Sequence, residues 1–238
     1  MIITTTDRPV TYTRVNSSPA ERLEPIDLTW GKQQLRVAPT ATSEDNLIAD
    51  AIAAARSYFE EQTGRQCLDA EWEYALDGVP DEASIELPRA PLARVVAVTY
   101  DDADGVAQVF DAANYRVVSS ALTDTAASPS DPLIFDDHCA PGRVDLVAGA
   151  SWPSTSGLTA SLRIRRVCGY GPTIADIPAS IRAILALLLD FYYSRGLNRE
   201  SLLTANNLLL SFKWRGLPVR KPTTWTPSVI VPPLTLTN

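Results

Sequence analysis

The sequence predicts an α+β protein: a small helical bundle formed by N- and C-terminal helices, an inserted antiparallel β-rich domain, and extended arms at both ends. Two long stretches, near residues 44–63 and 178–196, repeat their apolar residues at the spacing of one helix face. Between them the apolar residues alternate as in half-buried strands, and turn-forming residues separate the runs. The predicted segments are an arm (1–26), a helical part (27–66), the β-rich domain (67–176), a second helical part (177–215) and an arm (216–238).

The stretch PASIRAILALLLDFYYSRG at 178–196 predicts the helix around which the rest of the chain is built. One face carries Ile181, Ile184, Leu185, Leu188 and Tyr192. Leu187, Leu189 and Phe191 add apolar side chains to the other sides, and a helix that is apolar all round is a buried helix. Pro178 suits its start and Gly196 its end. Its uninterrupted apolar run is far shorter than the roughly 20 residues that cross a bilayer, so we expect protein neighbours and no membrane.

Composition excludes several classes of protein. Three cysteines without a CxxC pair favour reduced thiols and a cytoplasmic setting, and the first residues, MIITTTDRPV, lack the features of a signal peptide. The net charge of −7 conceals an asymmetry, because the last 38 residues carry four basic and no acidic side chains. A basic tail on an acidic body predicts contact with something acidic, possibly another copy of the chain. Four dispersed charges are weak support for nucleic-acid binding.

The remaining helices have local signals. Residues 1–26 show no sustained period and predict an extended arm, with disorder as the alternative. Residues 27–37 predict a short helix capped by an Asp or a Thr. In the helix over 44–63, Thr42 or Ser43 is the expected cap and Gly64 the expected end. After Gly196, the stretch SLLTANNLLLSFKWRG resumes a helical apolar stripe.

The β-rich domain is a series of short runs. The predicted strands are 72–76, 85–87, 94–100, 106–110, 115–118, 143–147 and 162–167. DDADG at 101–105 predicts a hairpin turn through its Asp-Gly pair. It does not fit a calcium loop, because an EF-hand with its glycine at Gly105 lacks acidic ligands at the first and last positions. Residues 119–143 are expected to form a long insertion, exposed in its first half.

One cluster permits a catalytic alternative. Asp136, Asp137 and His138 could serve a small metal-dependent hydrolase, and His138 is the single histidine of the chain. A solvated turn is preferred, because catalytic carboxylates need a rigid scaffold and Pro141 and Gly142 follow at once. We therefore expect no enzyme, no metal and no cofactor.

A carbohydrate-binding β-module is a further alternative. It rests on three aromatic residues, Trp72, Tyr74 and Trp152. The alternating pattern around Trp72 and Tyr74 favours core positions for these side chains instead.

The last 22 residues have the most unusual composition of the chain. Five prolines exclude a helix or an interior strand and leave an extended segment, yet it is too apolar and uncharged to favour water. Two interpretations stay open: the segment orders on a partner, or it wraps its own domain. The candidate partner-binding residues are Trp214, Arg215, Arg220, Lys221, Trp225, Val229, Ile230, Val231 and Leu234. Among these, Trp225 is the expected anchor, since aromatic residues dominate interface energies.

The order and spacing of these motifs resemble the head–tail connector (adaptor) proteins of long-tailed double-stranded DNA phages and gene transfer particles. The matching stretches are PIDLTWGKQQLRV (25–37), EDNLIADAIAAARSYFEEQTGRQC (44–67), WEYAL (72–76), IELPRAPLARVVAVTYDDADG (85–105), YRV (115–117), the Trp-Pro pair at 152–153, RRVCGYG (165–171) and IPASIRAILALLLDFYYSR (177–195). Together they cover roughly residues 25–215. The chain departs from the commoner pattern in its 119–143 insertion and its C-terminal arm.

The resemblance implies a structural adaptor without catalysis. Such proteins form a ring, typically of twelve copies, beneath the portal of a DNA-filled capsid and contact the next neck or tail protein. The expected place is the virion neck, after assembly in the host cytoplasm, with genomic DNA passing through the channel without sequence-specific binding. A stopper or tail-terminator protein is the alternative within the same class. In a ring, Leu187, Leu189 and Phe191 would contact the adjacent subunit.

Overall fold

The computed structural model describes residues 10–15, 24–118 and 142–212. In these ranges the helices are α1 (Leu28–Gln34), α2 (Asp45–Thr63), α3 (Ala179–Tyr193) and α4 (Arg199–Phe212). The strands are β1 (Val10–Arg14), β2 (Ala70–Leu76), β3 (Ser84–Leu87), β4 (Leu92–Asp101), β5 (Ala107–Val109), β6 (Tyr115–Val118), β7 (Gly142–Leu146) and β8 (Leu162–Cys168). Helices together with antiparallel sheets confirm the predicted α+β class.

The four helices share one apolar core. α3 packs against α2 on one side and α4 on another, and the stripe read from the sequence faces inward. The fully buried members include Ile48, Ala55, Phe59, Ile181, Leu185, Leu188 and Ala205. α1 approaches α2 closely at Gly31, where a Cβ would lie 3.1 Å from Cδ1 of Ile52. A larger residue at this position would separate the two helices.

Buried Lys32 was not anticipated by the helical pattern of 27–37. Its Nζ lies 2.5 Å from Oδ1 of Asp45 at the start of α2 and donates to the carbonyl oxygen of Ala41 at 2.8 Å. A buried ammonium needs such partners, because leaving it unpaired costs several kcal/mol (order of magnitude). Lys32 therefore ties α1 to the loop that precedes α2.

The helix ends agree with most of the local signals. Asp27 caps α1 by accepting from the backbone N–H of Trp30 at 2.7 Å, and Gly64 ends α2 with φ of 68°. The expected cap of α2 is wrong: Glu44 occupies the N-cap position and its side chain makes no capping hydrogen bond. At the end of α3 the left-handed conformation begins at Arg195, with φ of 55°, one residue before Gly196.

Two antiparallel sheets form a sandwich. The larger has the strand order β1-β2-β8-β4-β5 and the smaller β3-β7-β6. Their facing side chains form a second core, which includes Leu87, Val98, Val144, Leu162 and Ile164. The hairpin predicted at 101–105 joins β4 to β5, with Gly105 at φ of 78°.

Strand β1 gives part of the predicted N-terminal arm a definite place. Its five residues pair with β2 in antiparallel register, from Val10 opposite Leu76 to Arg14 opposite Trp72. Further along, Ile26 is buried in the helical core and Glu24 pairs with Arg56 of α2. The segment 1–26 therefore contains two stretches that belong to the folded body.

Candidate interaction surfaces

The nine residues proposed to bind a partner, Trp214 to Leu234, lie outside the described part of the chain. The structure does show where that arm begins. Phe212, the last residue of α4, is buried, and its ring lies 6.5 Å from the ring of Phe59 in α2. The arm therefore leaves from a residue that is packed into the helical core.

Buried Arg65 hydrogen-bonds to the last residue of α4, after which the C-terminal segment begins. Its Nε donates to the backbone carbonyl oxygen of Phe212 at 2.8 Å, and its Nη1 donates to the hydroxyl of Tyr170 at 3.0 Å. Arg65 follows the end of α2, whereas Tyr170 follows β8. One guanidinium thus joins the helical core, the connection from the sandwich and the start of the arm.

A second polar network lies between α2 and β2. Glu60 accepts at one carboxylate oxygen from Nε2 of Gln66 at 2.7 Å and from the backbone N–H of Cys67 at 3.1 Å. Its other oxygen accepts from Nη1 of Arg56 at 3.2 Å, and Arg56 also donates to Glu24. Desolvation by burial raises the pKa of Glu60 above its ordinary value of 4.5. Both oxygens of this buried carboxylate accept hydrogen bonds, and these bonds hold the segment that connects the bundle to the sandwich.

Trp72 extends this network into the sheet. Its Nε1 donates to Oε1 of Gln66 at 3.2 Å, and the guanidinium of Arg89 lies 4.0 Å from the centroid of its ring. A half-buried indole with both its donor and its face occupied is a structural element of the junction.

Of the three residues proposed for subunit contact, Leu189 is corrected by the structure. Its side chain is fully buried in the helical core of its own chain, on the side where α1 packs at Gly31. The sequence could not show this, because α1 is distant along the chain. Leu187 and Phe191 are half-buried, so each keeps some exposed surface.

The outer face of α4 carries exposed apolar side chains that the sequence did not single out as a surface. Leu203 is 63% exposed and Leu210 is 55% exposed, and a separation of seven residues places them on one helix face. Asn207 lies between them and is also exposed. We call Leu203, Asn207 and Leu210 the outer α4 row. Ser201, Ala205 and Leu209 occupy the opposite, buried side.

Three further exposed apolar residues lie in or beside the β4–β5 hairpin of the sandwich. Val96, Val106 and Val109 are 49%, 55% and 72% exposed. β5 is an edge strand of three residues, and register shifts interrupt the pairing of β4 with β8 between Leu92 and Arg94 and between Val95 and Ala97. Short and bulged edges discourage uncontrolled strand addition, so this region suits side-chain contacts better than an added strand.

The cluster of the hydrolase alternative is not among the described residues. Asp136, Asp137 and His138 lie outside them, and no group of three or more metal-binding side chains occurs within residues 10–15, 24–118 and 142–212. Cys67 and Cys168 are buried, and desolvation raises the pKa of both thiols, which disfavours the reactive thiolate.

The aromatic residues of the carbohydrate alternative belong to the sandwich. Trp72, Tyr74 and Trp152 all pack against its core. Nε1 of Trp152 donates to the carbonyl oxygen of Glu82 at 2.8 Å, and its ring lies 5.6 Å from that of Phe110.

The carboxylate of Asp102 stabilises the hairpin turn at 101–105. Its Oδ1 accepts from the backbone N–H groups of Asp104 and Val106.

Among the described helices, none is both long and apolar enough to cross a bilayer.

Comparison with solved structures identifies the fold. No family model and no curated relative matches the sequence. A chain in a structure described as the virion of a native gene transfer agent (GTA) particle matches with a TM-score of 0.67 at 19% identity. The fold is that of chains in GTA particles. The match covers 89% of this chain and 99% of that one.

Two neck structures give similar matches. A chain of the neck of an empty GTA particle, computed with C6 symmetry, has a TM-score of 0.65 at 19% identity. A chain of the neck of a native GTA particle, computed with C12 symmetry, has a TM-score of 0.57 at 18% identity. In both cases the match covers 89% of this chain and 100% of the other.

Proposed function

We propose that the chain is a structural subunit of the neck of a phage-like particle, specifically a head–tail adaptor that forms a ring beneath the portal and lacks catalytic activity. The observation that carries the proposal is the full-length match to chains of GTA necks: each of those chains is covered completely. A match that includes both the helical bundle and the sandwich is more specific than one confined to a single common motif.

Twelve is the copy number we propose. The two neck structures were computed with C6 and C12 symmetry, and a ring of twelve identical copies is compatible with both. Heterologous contacts close into such a ring when the rotation between neighbours divides a full turn.

Exposed and half-buried apolar side chains among the described residues suit contacts between subunits. The outer α4 row and the half-buried Leu187 and Phe191 lie on the bundle, and Val96, Val106 and Val109 lie on the sandwich. A ring subunit contacts each of its two neighbours through a different part of its surface, and exposed apolar side chains on both the bundle and the sandwich suit such contacts.

An acidic protein also suits a ring that surrounds DNA. With a net charge of −7, the subunit would repel the phosphate backbone, so a duplex could slide through the channel without sticking. The basic tail, which includes Arg215, Arg220 and Lys221, is proposed to reach away from the channel to the portal or to a neighbouring subunit.

Deletion of residues 217–238 tests the attachment. The truncated chain keeps Phe212 and the whole described body, so we expect it to fold with an unchanged circular dichroism spectrum and to lose co-purification with portal protein. A charge-reversed control, with Arg220 and Lys221 replaced by Glu, separates electrostatic attraction from anchoring by Trp225. Normal attachment of the truncated protein would contradict the role of the arm.

Co-purification experiments with portal and tail-tube proteins also distinguish an adaptor from a stopper or a tail terminator. An adaptor binds portal protein directly, whereas a stopper or tail terminator binds other neck proteins or the tail tube. Retention on tail-tube protein without retention on portal would contradict the adaptor assignment while leaving a neck role in place.

A further inference from the structure

Two described segments connect the helical bundle to the sandwich. Residues 64–69 lead from α2 to β2, and residues 169–178 lead from β8 to α3. The backbone N–H of Asp69 in the first segment donates to the carbonyl oxygen of Gly171 in the second at 3.0 Å. The two connections therefore lie side by side and form one junction between the bundle and the sandwich.

The loop that precedes β4 adds a third segment to this junction. The carbonyl oxygen of Ala90 accepts from the backbone N–H of Gln66 at 2.9 Å. The carbonyl oxygen of the next residue, Pro91, accepts from the backbone N–H of Gly169 at 3.0 Å. Backbone hydrogen bonds thus hold all three segments together, and exchange of the donating amides reports how often each bond opens.

Arg65 connects this junction to the end of α4. It belongs to the first connecting segment, is 2% exposed, and donates from Nη1 to the hydroxyl of Tyr170 in the second segment. The same guanidinium donates from Nε to the carbonyl oxygen of Phe212 and lies 5.8 Å from the centroid of that residue's ring. A guanidinium holds its N–H groups in fixed directions, so a displacement of Phe212 also disturbs the bond to Tyr170.

We propose that Arg65, through its bonds to Phe212 and Tyr170, is a clamp by which the last turn of α4 controls the junction between the bundle and the sandwich. While Phe212 is packed in the helical core, the clamp holds both connecting segments. When the last turn of α4 unwinds, the clamp is released and the two segments open more often. Unwinding of a helix end is among the least costly local openings of a native protein.

The clamp does not depend on the proposed neck function. It is a coupling between two places in one chain, the end of α4 and the start of the sandwich, and such a coupling has a free energy that can be measured. In a neck subunit the clamp would give a partner that displaces the end of α4 an effect on the sandwich.

Amide hydrogen exchange of the full-length protein, followed residue by residue by NMR, tests the clamp. Phe212→Leu keeps an apolar side chain in the core but removes the ring contact with Arg65, which loosens the last turn of α4. We expect exchange of the amides of Gln66, Asp69 and Gly169 to become about tenfold faster. The loss of one charge-assisted hydrogen bond changes an opening equilibrium by about this factor.

Leu209→Val is the matched control. Leu209 lies in α4 three residues before Phe212 and is equally buried, at 1% exposure against 3%, but its aliphatic side chain has no ring to hold a guanidinium. A urea titration should show that both variants lose stability. Only Phe212→Leu should accelerate exchange at the junction by more than about twofold. An equal acceleration in both variants would overturn the clamp, because exchange would then follow the general loss of stability.

Tyr170→Phe tests the second bond of the clamp. This variant removes the hydroxyl that accepts from Arg65 and keeps the half-buried ring, so the protein should fold. Adding Phe212→Leu to Tyr170→Phe should accelerate exchange at Gly169 by less than about twofold, because the end of α4 no longer reaches the second segment. A tenfold acceleration in this background, or none in the wild-type background, would overturn the proposal.

Discussion

Arg65 and Phe212 are joined across 147 residues of sequence by a hydrogen bond of 2.8 Å from the guanidinium Nε to the backbone carbonyl oxygen. The carbonyl belongs to the last turn of α4, whose oxygens have no partner within the helix. Both residues are buried, so the bond replaces water that cannot reach this position. The anchor of the C-terminal arm thus depends on a side chain from the end of α2.

Replacing Arg65 with Met should loosen the end of α4. The variant loses charge-assisted hydrogen bonds to Phe212 and Tyr170 in a buried site, and we expect the free energy of unfolding to fall by about 2 to 3 kcal/mol. Urea denaturation measures the loss, and hydrogen exchange should show it first in residues 205–212. Arg199→Met, on the exposed first turn of α4, is the control and should change stability by less than about 0.5 kcal/mol.

Glu60→Gln should destabilise the junction between the bundle and the sandwich. Both carboxylate oxygens accept hydrogen bonds, so an amide would direct one NH2 group at another donor, at a cost of about 1 to 3 kcal/mol. Its neighbour Glu61 is exposed, and Glu61→Gln should be nearly neutral. Equal unfolding midpoints for the two variants would show that the network is dispensable.

The pH dependence of stability should reveal the same carboxylate. Burial raises the folded-state pKa of Glu60 above 4.5, so between these two values the folded protein binds more protons than the unfolded chain. Stability from this group is therefore greatest below pH 4.5 and declines as the pH rises through the folded pKa. Hydrogen bonds lower the folded-state pKa values of Asp101, Asp102 and Asp176 below 3.8. These three carboxylates therefore stabilise the folded protein above pH 3.8, and their stabilisation is lost as the pH falls below that value.

Comparison with Glu60→Gln isolates that contribution. Asp69 also has a raised pKa, so the wild-type curve alone contains more than one carboxylate. The stability difference between wild type and variant should shrink as the pH rises above 4.5. A difference that grows with pH would mean that the charged form of Glu60 is favoured in the folded protein.

Gly142→Ala should disturb the contact between the two sheets. A Cβ at this position would lie well inside van der Waals distance of Leu92, which is fully buried in β4. Overpacking of this kind costs about 1 to 3 kcal/mol. The clashing atoms include Cβ of Leu92, so relief requires Leu92→Gly rather than Leu92→Ala. The double variant Gly142→Ala with Leu92→Gly should be more stable than the sum of the single effects predicts, and strict additivity would contradict the contact.

The elements with strong local patterns were predictable. The helix over 44–63, the hairpin with Gly105 and the alternation through Trp72 to Leu76 depend on neighbours in sequence, and the structure has each of them. The same is true of the cap at Asp27. Periodicity and turn chemistry contain this information because they describe backbone preferences over a few residues.

Contacts between distant segments were not predictable. The pairing of β1 with β2, the burial of Lys32 and the covering of Leu189 near α1 depend on which segments meet in space. For the same reason the outer α4 row was missed: its leucines were assigned to a helical stripe, and the structure shows which of them remain exposed. The arm residues proposed to bind a partner stay a prediction, since they follow Phe212.

The copy number of the chain on purified portal protein tests the neck proposal most directly. Native mass spectrometry or electron microscopy of the mixed proteins should show a ring of twelve copies bound to the portal, with residues 1–216 insufficient for attachment. A chain that stays monomeric in the presence of portal, or that assembles only on tail-tube protein, would contradict the adaptor role.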